Sequence, residues 1–182
     1  GEEPRWIRHP AIAPDGETLS FTHRGQVFLV DAEGGLAVPL TAQGSYSHDA
    51  VWAPDSERLA FASDASGNDD IYIADFSGTL QRFSWSSTHE TPTSFSPDGK
   101  SVLYTSLGLG DAERSVQGAL SYKPQLYGVD ATTGRETLVL PNFALEARWN
   151  PAANRLAYTY DPSTDPASRQ HRVAANARQI WV

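Results

Sequence analysis

Four segments of the chain align on a proline. They are Ile12-Ala13-Pro14-Asp15-Gly16-Glu17-Thr18-Leu19-Ser20-Phe21, Trp52-Ala53-Pro54-Asp55-Ser56-Glu57-Arg58-Leu59-Ala60-Phe61, Phe95-Ser96-Pro97-Asp98-Gly99-Lys100-Ser101-Val102-Leu103-Tyr104 and Trp149-Asn150-Pro151-Ala152-Ala153-Asn154-Arg155-Leu156-Ala157-Tyr158. In each, a large apolar residue precedes the proline by two positions, an aliphatic residue follows it by five and an aromatic by seven. The fourth copy has lost the Asp and Gly, so its turn is the weakest match. Proline presets φ for a tight turn, Asp bonds its own nearby backbone, and Gly accepts positive φ. Pro-Asp-Gly between two apolar-patterned runs is therefore a hairpin signal.

A second block follows each of the first three copies: Val27-Phe28-Leu29-Val30-Asp31, Ile71-Tyr72-Ile73-Ala74-Asp75 and Leu126-Tyr127-Gly128-Val129-Asp130. Gly34, Gly78 and Gly134 come shortly after those Asp residues and mark the next hairpin, leading into short β-prone segments at 38–41, 80–84 and 137–140. The fourth copy reaches Ile180-Trp181-Val182, inside its third strand. Each repeat thus encodes four short antiparallel strands, with β-branched and aromatic residues placed for burial. Pro14, Pro54, Pro97 and Pro151 stand 40, 43 and 54 residues apart. That period fits a β-propeller blade, and no segment carries a capped helical pattern. The expected fold is all-β: a propeller segment with blades at about 9–41, 49–84, 91–140 and 146–182. The last blade is incomplete, so the ring is read as part of one with roughly six or seven blades. An immunoglobulin-like sandwich explains short strands but not a repeat of this detail.

The repeats resemble the Pro-Asp-Gly-containing propellers of the TolB-like group, over essentially Pro10 to Val182. The carriers are Phe95-Ser96-Pro97-Asp98-Gly99-Lys100 and Ser63-Asp64-Ala65-Ser66-Gly67-Asn68-Asp69-Asp70-Ile71-Tyr72. Two stretches are similar to tricorn-like serine peptidases: the opening Pro4-Arg5-Trp6-Ile7-Arg8-His9-Pro10, and the basic segment from Arg169-Gln170-His171-Arg172 to Arg178-Gln179-Ile180-Trp181-Val182. The resemblance implies an exported or periplasmic parent with the propeller first and PDZ-like and catalytic domains after it. The catalytic Ser would lie in that later part, so no catalytic residue carries over to this chain. The implied role is non-catalytic: substrate gating, docking or assembly, with a peptide or protein partner beside the remaining blades and the catalytic domain. The alternatives are a TolB-like protein-binding scaffold without chemistry and the propeller of a prolyl-oligopeptidase-type exopeptidase.

Propeller sites sit on loops of one face or in the channel. The distance from the repeat proline to the second aromatic is 14 residues for Pro14–Phe28, 18 for Pro54–Tyr72 and 30 for both Pro97–Tyr127 and Pro151–Trp181. The loop between strands two and three therefore grows in the later blades, over about 107–123 and 161–178. In a propeller these loops share a face with the blade-to-blade connections. That face is expected to gather His48, Asp49, His89, Glu90, Arg114, Arg169, His171, Arg172 and Arg178. The arginines suit carboxylates through their bidentate fork. The competing reading is a solvated insertion, or one packed on a neighbouring domain, with no ligand.

Other chemistry is poorly represented. The chain has no Cys, which removes thiolate ligands and nucleophiles, and its formal net charge of −8 disfavours phosphate backbones. No apolar run is long enough to span a bilayer as a helix. Asp64-x-Ser66-x-Asn68-x-Asp70 alternates oxygens like a calcium loop, but Asp69 stands where that loop needs Gly and Asp75 where it needs Glu. It reads as a turn bent at Gly67-Asn68. His9, His23, His48, His89 and His171 lack zinc spacing, and no cofactor motif or nucleophile elbow occurs. No cofactor or metal is expected.

Overall fold

Pro14, Pro54 and Pro97 each sit in a turn between two antiparallel strands. Ala13 O accepts from Gly16 N at 2.9 Å while Ala13 N donates to Thr18 O at 2.8 Å, so the chain reverses over Pro14 and Asp15. The Asp carboxylate closes the turn by accepting the backbone N–H two residues on: Glu17 N onto Asp15 at 2.9 Å, Glu57 N onto Asp55 at 2.9 Å, Lys100 N onto Asp98 at 3.1 Å. The next residue is left-handed, at φ 81° for Gly16 and 68° for Gly99; Ser56 is held at 61°, against the preference of an L-residue. In the fourth copy Asn150 Oδ1 accepts from Arg155 N at 3.0 Å, as Ser96 Oγ does from Ser101 N.

The computed structural model of the protein describes residues 6–109, 122–141, 144–150, 152, 155–160 and 179–182. Among these the regular elements are all strands. The first blade is β1 (Arg8–Ile12), β2 (Thr18–His23), β3 (Gln26–Asp31) and β4 (Val38–Pro39). The second is β5 (Ser47–Trp52), β6 (Arg58–Ser63), β7 (Asp70–Asp75) and β8 (Leu80–Arg82). The third is β9 (Glu90–Phe95), β10 (Ser101–Leu109), β11 (Tyr122–Asp130) and β12 (Glu136–Leu140). The fourth holds β13 (Ala144–Trp149), β14 (Leu156–Tyr160) and β15 (Gln179–Trp181). Each sheet is an antiparallel meander in chain order, and the ring is not closed.

One difference concerns the third blade's insertion. β10 and β11 stay paired out to Leu109 opposite Tyr122, so both ends of the segment expected as loop over 107–123 are strand. Backbone pairing continues past the end of the apolar pattern, because an antiparallel ladder needs only N–H and C=O groups. Residues 110–121 lie outside the described residues, as does the fourth blade's insertion at 161–178.

The core lies between blades. Successive side chains of a strand point to opposite faces, and in blades 2 and 3 both faces are covered, each by a different blade. Leu59 and Phe61 of β6 join Val27, Ala50, Tyr72 and Ala74 in the layer between blades 1 and 2. Ala60, between them in sequence, turns the other way and joins Ile71, Ile73, Phe95, Val102 and Tyr104 between blades 2 and 3. Leu103, between Val102 and Tyr104, packs with Leu126, Ala144 and Ala147 between blades 3 and 4. The repeated aromatics are cross-strand pairs: Phe21 stacks on Phe28 with ring centroids 5.7 Å apart, Phe61 on Tyr72 at 6.1 Å and Tyr104 on Tyr127 at 5.6 Å.

Polar contacts pin neighbouring blades as well. Trp52 Nε1 donates to Ala11 O at 3.1 Å across blades 1 and 2, and Ser94 Oγ to Ala147 O at 3.1 Å across blades 3 and 4. Arg58 of blade 2 donates to Gly99 O at 3.0 Å and lies over the Phe95 ring at 5.7 Å. Gly99 is thus a turn residue and an inter-blade contact at once. A Cβ there would lie 3.0 Å from Arg58 Nη2 and 3.4 Å from Pro54 Cγ, whereas one on Gly16 meets nothing within 4 Å. Gly16→Ala is expected to cost about 1 kcal/mol through its left-handed φ alone. Gly99→Ala adds the displaced arginine and costs about 1 kcal/mol more, read as the difference in urea-unfolding free energy.

Candidate functional site

The first strand of each blade packs on the first strand of the next, so β1, β5, β9 and β13 form the inner lining. In that lining the residue five before the repeat proline is unusual. His9, Asp49 and Glu146 all occupy this offset, and all are left-handed, at φ 48°, 52° and 47°. Each lies where the pairing register of its strand shifts, which marks a β-bulge. Pro92 occupies the offset in blade 3, where the pyrrolidine ring forbids positive φ. Left-handed non-glycine residues inside strands are costly and concentrate where a side chain must be re-aimed.

The bulges re-aim two of these side chains toward each other. His9 Nδ1 contacts Asp49 Oδ1 across blades 1 and 2. Asp49 Oδ2 lies 2.8 Å from His48 Nδ1, and His48 Nε2 faces Asp69 Oδ1 at 3.4 Å. Asp69 Oδ2 lies 2.8 Å from His89 Nδ1. The result is an alternating chain, His9–Asp49–His48–Asp69–His89, from the start of blade 1 to the entry of blade 3. All five residues are on the face of the blade-to-blade connections. The Tyr46 ring lies 4.9 Å from that of His48 and borders the chain.

Electrostatics follow from this order. Burial opposes the charged form of His48, yet hydrogen bonding and attraction from Asp49, with Asp69 adding to both, hold its imidazole above the ordinary value. Burial likewise opposes ionisation of Asp49, and His48 and His9 outweigh it, holding the carboxyl below its usual range.

Of the residues expected on this face, His48, Asp49 and His89 come together in the chain. Glu90 points away from it: the side chain is 1% exposed, packed between blades 2 and 3, where Ser84 Oγ donates to it. Burial is the main reason its carboxyl is pushed up to about 7, with repulsion from Glu136 and Asp70 adding to it. Arg114, Arg169, His171, Arg172 and Arg178 lie outside the described residues. His9 and Asp69 are members outside the set expected from the sequence. Extending the repeat alignment to the fifth residue before the proline sets His9 opposite Asp49, a signal that was available. Asp69 had none, since it reads as part of the β6–β7 turn.

The oxygens of that turn are engaged within the protein. Asp64 Oδ1 accepts from Tyr46 N at 2.6 Å, Ser66 Oγ pairs with Tyr72 Oη at 2.7 Å, and Asp70 pairs with Arg82 at 2.9 Å. Asn68 Nδ2 donates to Ser86 O at 2.9 Å and Thr88 O at 3.1 Å, bracing the connection that carries His89. These residues build a turn bent at Gly67, with φ 111°.

Comparison with known proteins places the fold. The family model for the tricorn protease N-terminal beta propeller domain matches residues 4–182. An uncharacterized peptidase, YuxL, of Bacillus subtilis is 30% identical over 135 residues, covering 65% of this chain and 20% of that protein. The crystal structure of the tricorn protease superposes with a TM-score of 0.73 at 13% identity, over 98% of this chain and 21% of the other. TolB from Acinetobacter baumannii superposes with a TM-score of 0.68 at 20% identity, over 96% of this chain and 40% of the other. At these identities the structures bear on fold alone. The chain spans between 12 and 23% of the length of its curated relatives.

The lowered carboxyl of Asp49 contributes stability that is present above the unfolded-state pKa and lost as pH falls through the folded one. Asp49→Asn is therefore expected to cost about 0.5–1 kcal/mol at pH 6 and less at pH 3, measured as unfolding free energies of variant and parent at both pH values.

Proposed function

The chain belongs to the tricorn protease N-terminal β-propeller family, and from that premise we propose that it is the non-catalytic propeller portion of an exported serine peptidase, serving substrate gating, docking or assembly. The observation that carries this reading is the family match across 4–182, from a chain that spans only a fraction of its peptidase-named relatives. On this reading the catalytic serine and its partners belong to other parts of the full-length protein. The face bearing His48, Asp49 and His89, with Arg114, Arg169, His171, Arg172 and Arg178 from the insertions and connections, meets the peptide or a neighbouring domain. Arginine forks suit the carboxylates of a peptide, and two acids among three imidazoles suit polar main-chain groups.

A second reading is a protein-binding scaffold without chemistry, supported by the likeness to TolB across nearly the whole chain. The two separate on the full-length protein. On the peptidase reading, a serine-directed fluorophosphonate labels it outside residues 1–182 and it cleaves unstructured polypeptides. Arg169→Ala with Arg172→Ala then raises KM for long peptides several-fold and leaves kcat on a short chromogenic peptide unchanged. No labelling and no cleavage rejects the peptidase reading; unchanged KM with intact domain association rejects the role given to the two arginines.

A further inference from the structure

The junction between blades 2 and 3 carries two layers of ionisable groups, with consecutive residues assigned to opposite layers. Asp69 and His89 belong to the upper chain described above. Asp70 and Glu90, the next residue in each case, belong to a lower layer buried between the sheets, at 0% and 1% exposure. The layers share backbone, since Glu90 N donates to Asp69 O at 2.9 Å.

In the upper layer His48 stands between two carboxylates, one facing each ring nitrogen. A neutral imidazole has a single N–H and satisfies one of them; the imidazolium satisfies both. His89 offers its Nδ1 to the same Asp69. In the lower layer two carboxyls share the reach of Arg82, which pairs with Asp70 at 2.9 Å. Glu90 instead takes the Ser84 hydroxyl, which also accepts from Ile71 N at 2.7 Å. Among the described residues a second ionised carboxyl here has no cation of its own, and an unpaired buried charge is expensive. Protonation therefore acts in one direction in both layers: it completes the hydrogen bonds above and removes a buried charge below.

We propose that this junction is an acid-tightened seam, in which the proton on His48, acting through the Asp69 turn that Glu90 N is bonded to, and the proton on the Glu90 carboxyl hold blade 3 against blade 2, and whose release at alkaline pH loosens that contact.

The groups facing His48 are Asp49 on its own strand, Asp69 from the β6–β7 turn, and the rings of His9 and Tyr46. Those acting on Glu90 are Ser84 beyond β8, Asp70 of β7, Arg82 of β8 and Glu136 of β12, with Tyr104 and Tyr127 nearby on β10 and β11. Both titrations have the same sign. His48 is raised, so its stabilisation is present at low pH and lost as pH rises through its folded value. Glu90 is raised to about 7, so its share of the stability falls as pH rises from the ordinary carboxyl value and is gone above about 7.

Hydrogen–deuterium exchange of the full chain at pH 6 and pH 8, corrected for intrinsic rates, tests the seam. Amides of β7, β8 and the start of β9 are expected to lose about tenfold or more protection on going to pH 8, while the Val27–Leu40 region of blade 1 stays within about twofold. Glu90→Gln, isosteric and still an acceptor for Ser84, shrinks that loss, and Asp69→Asn shrinks it independently from the upper layer. Equal protection at both pH values in the parent chain overturns the proposal. So does a full loss retained in both variants.

Discussion

The structure depends on burying both faces of the central strands of blades 2 and 3, and no blade does this alone. Along β6, Leu59 and Phe61 serve one neighbour and Ala60 the other; along β10, Leu103 and the flanking Val102 and Tyr104 divide the same way. A single sheet with two apolar faces is unstable in water, so each blade's stability is held mostly in its contacts with the next. This explains why the polar links also run between blades. Trp52 to Ala11, Arg58 to Gly99 and Ser94 to Ala147 fix the angle between sheets that the apolar layers alone leave free to slide.

The same dependence accounts for what is legible in the sequence. Proline, Asp and Gly act within a few residues, so the turns and the strand count are written locally, and the recurring aromatic seven after the proline is the buried, stacked residue of the second strand in the first three blades. Contacts between blades are not written locally. Asp69 sits in a turn that joins β6 to β7, and only the lateral placement of the next connection brings His89 to it. Glu90 illustrates the converse. A charged residue beside a His in a connecting segment reads as exposed, but the alternation that starts β9 carries it inward, beneath a serine supplied by the end of blade 2. The bulge at the fifth position before the proline is intermediate: the offset repeats in sequence, whereas the left-handed backbone there is set by the sheet.

Buried acid is a recurrent choice in a chain that is acidic overall. Asp70 and Glu90 lie inside the wall between blades 2 and 3, while the upper row places two carboxylates among three imidazoles. Replacing such groups by apolar ones of similar volume is often neutral or stabilising in other proteins, so their presence is weak support for stability as such. They concentrate at the lining and its immediate backing; the outer strands β4 and β8 are two and three residues long and largely exposed.

Pro92 sets one sector of the lining apart. Three of the four inner strands kink through a left-handed residue at one offset, and the third is barred from doing so by its ring. Successive sectors are therefore not interchangeable by rotation about the axis. The third sector of the lining is thereby told apart from its neighbours by the shape of its main chain alone.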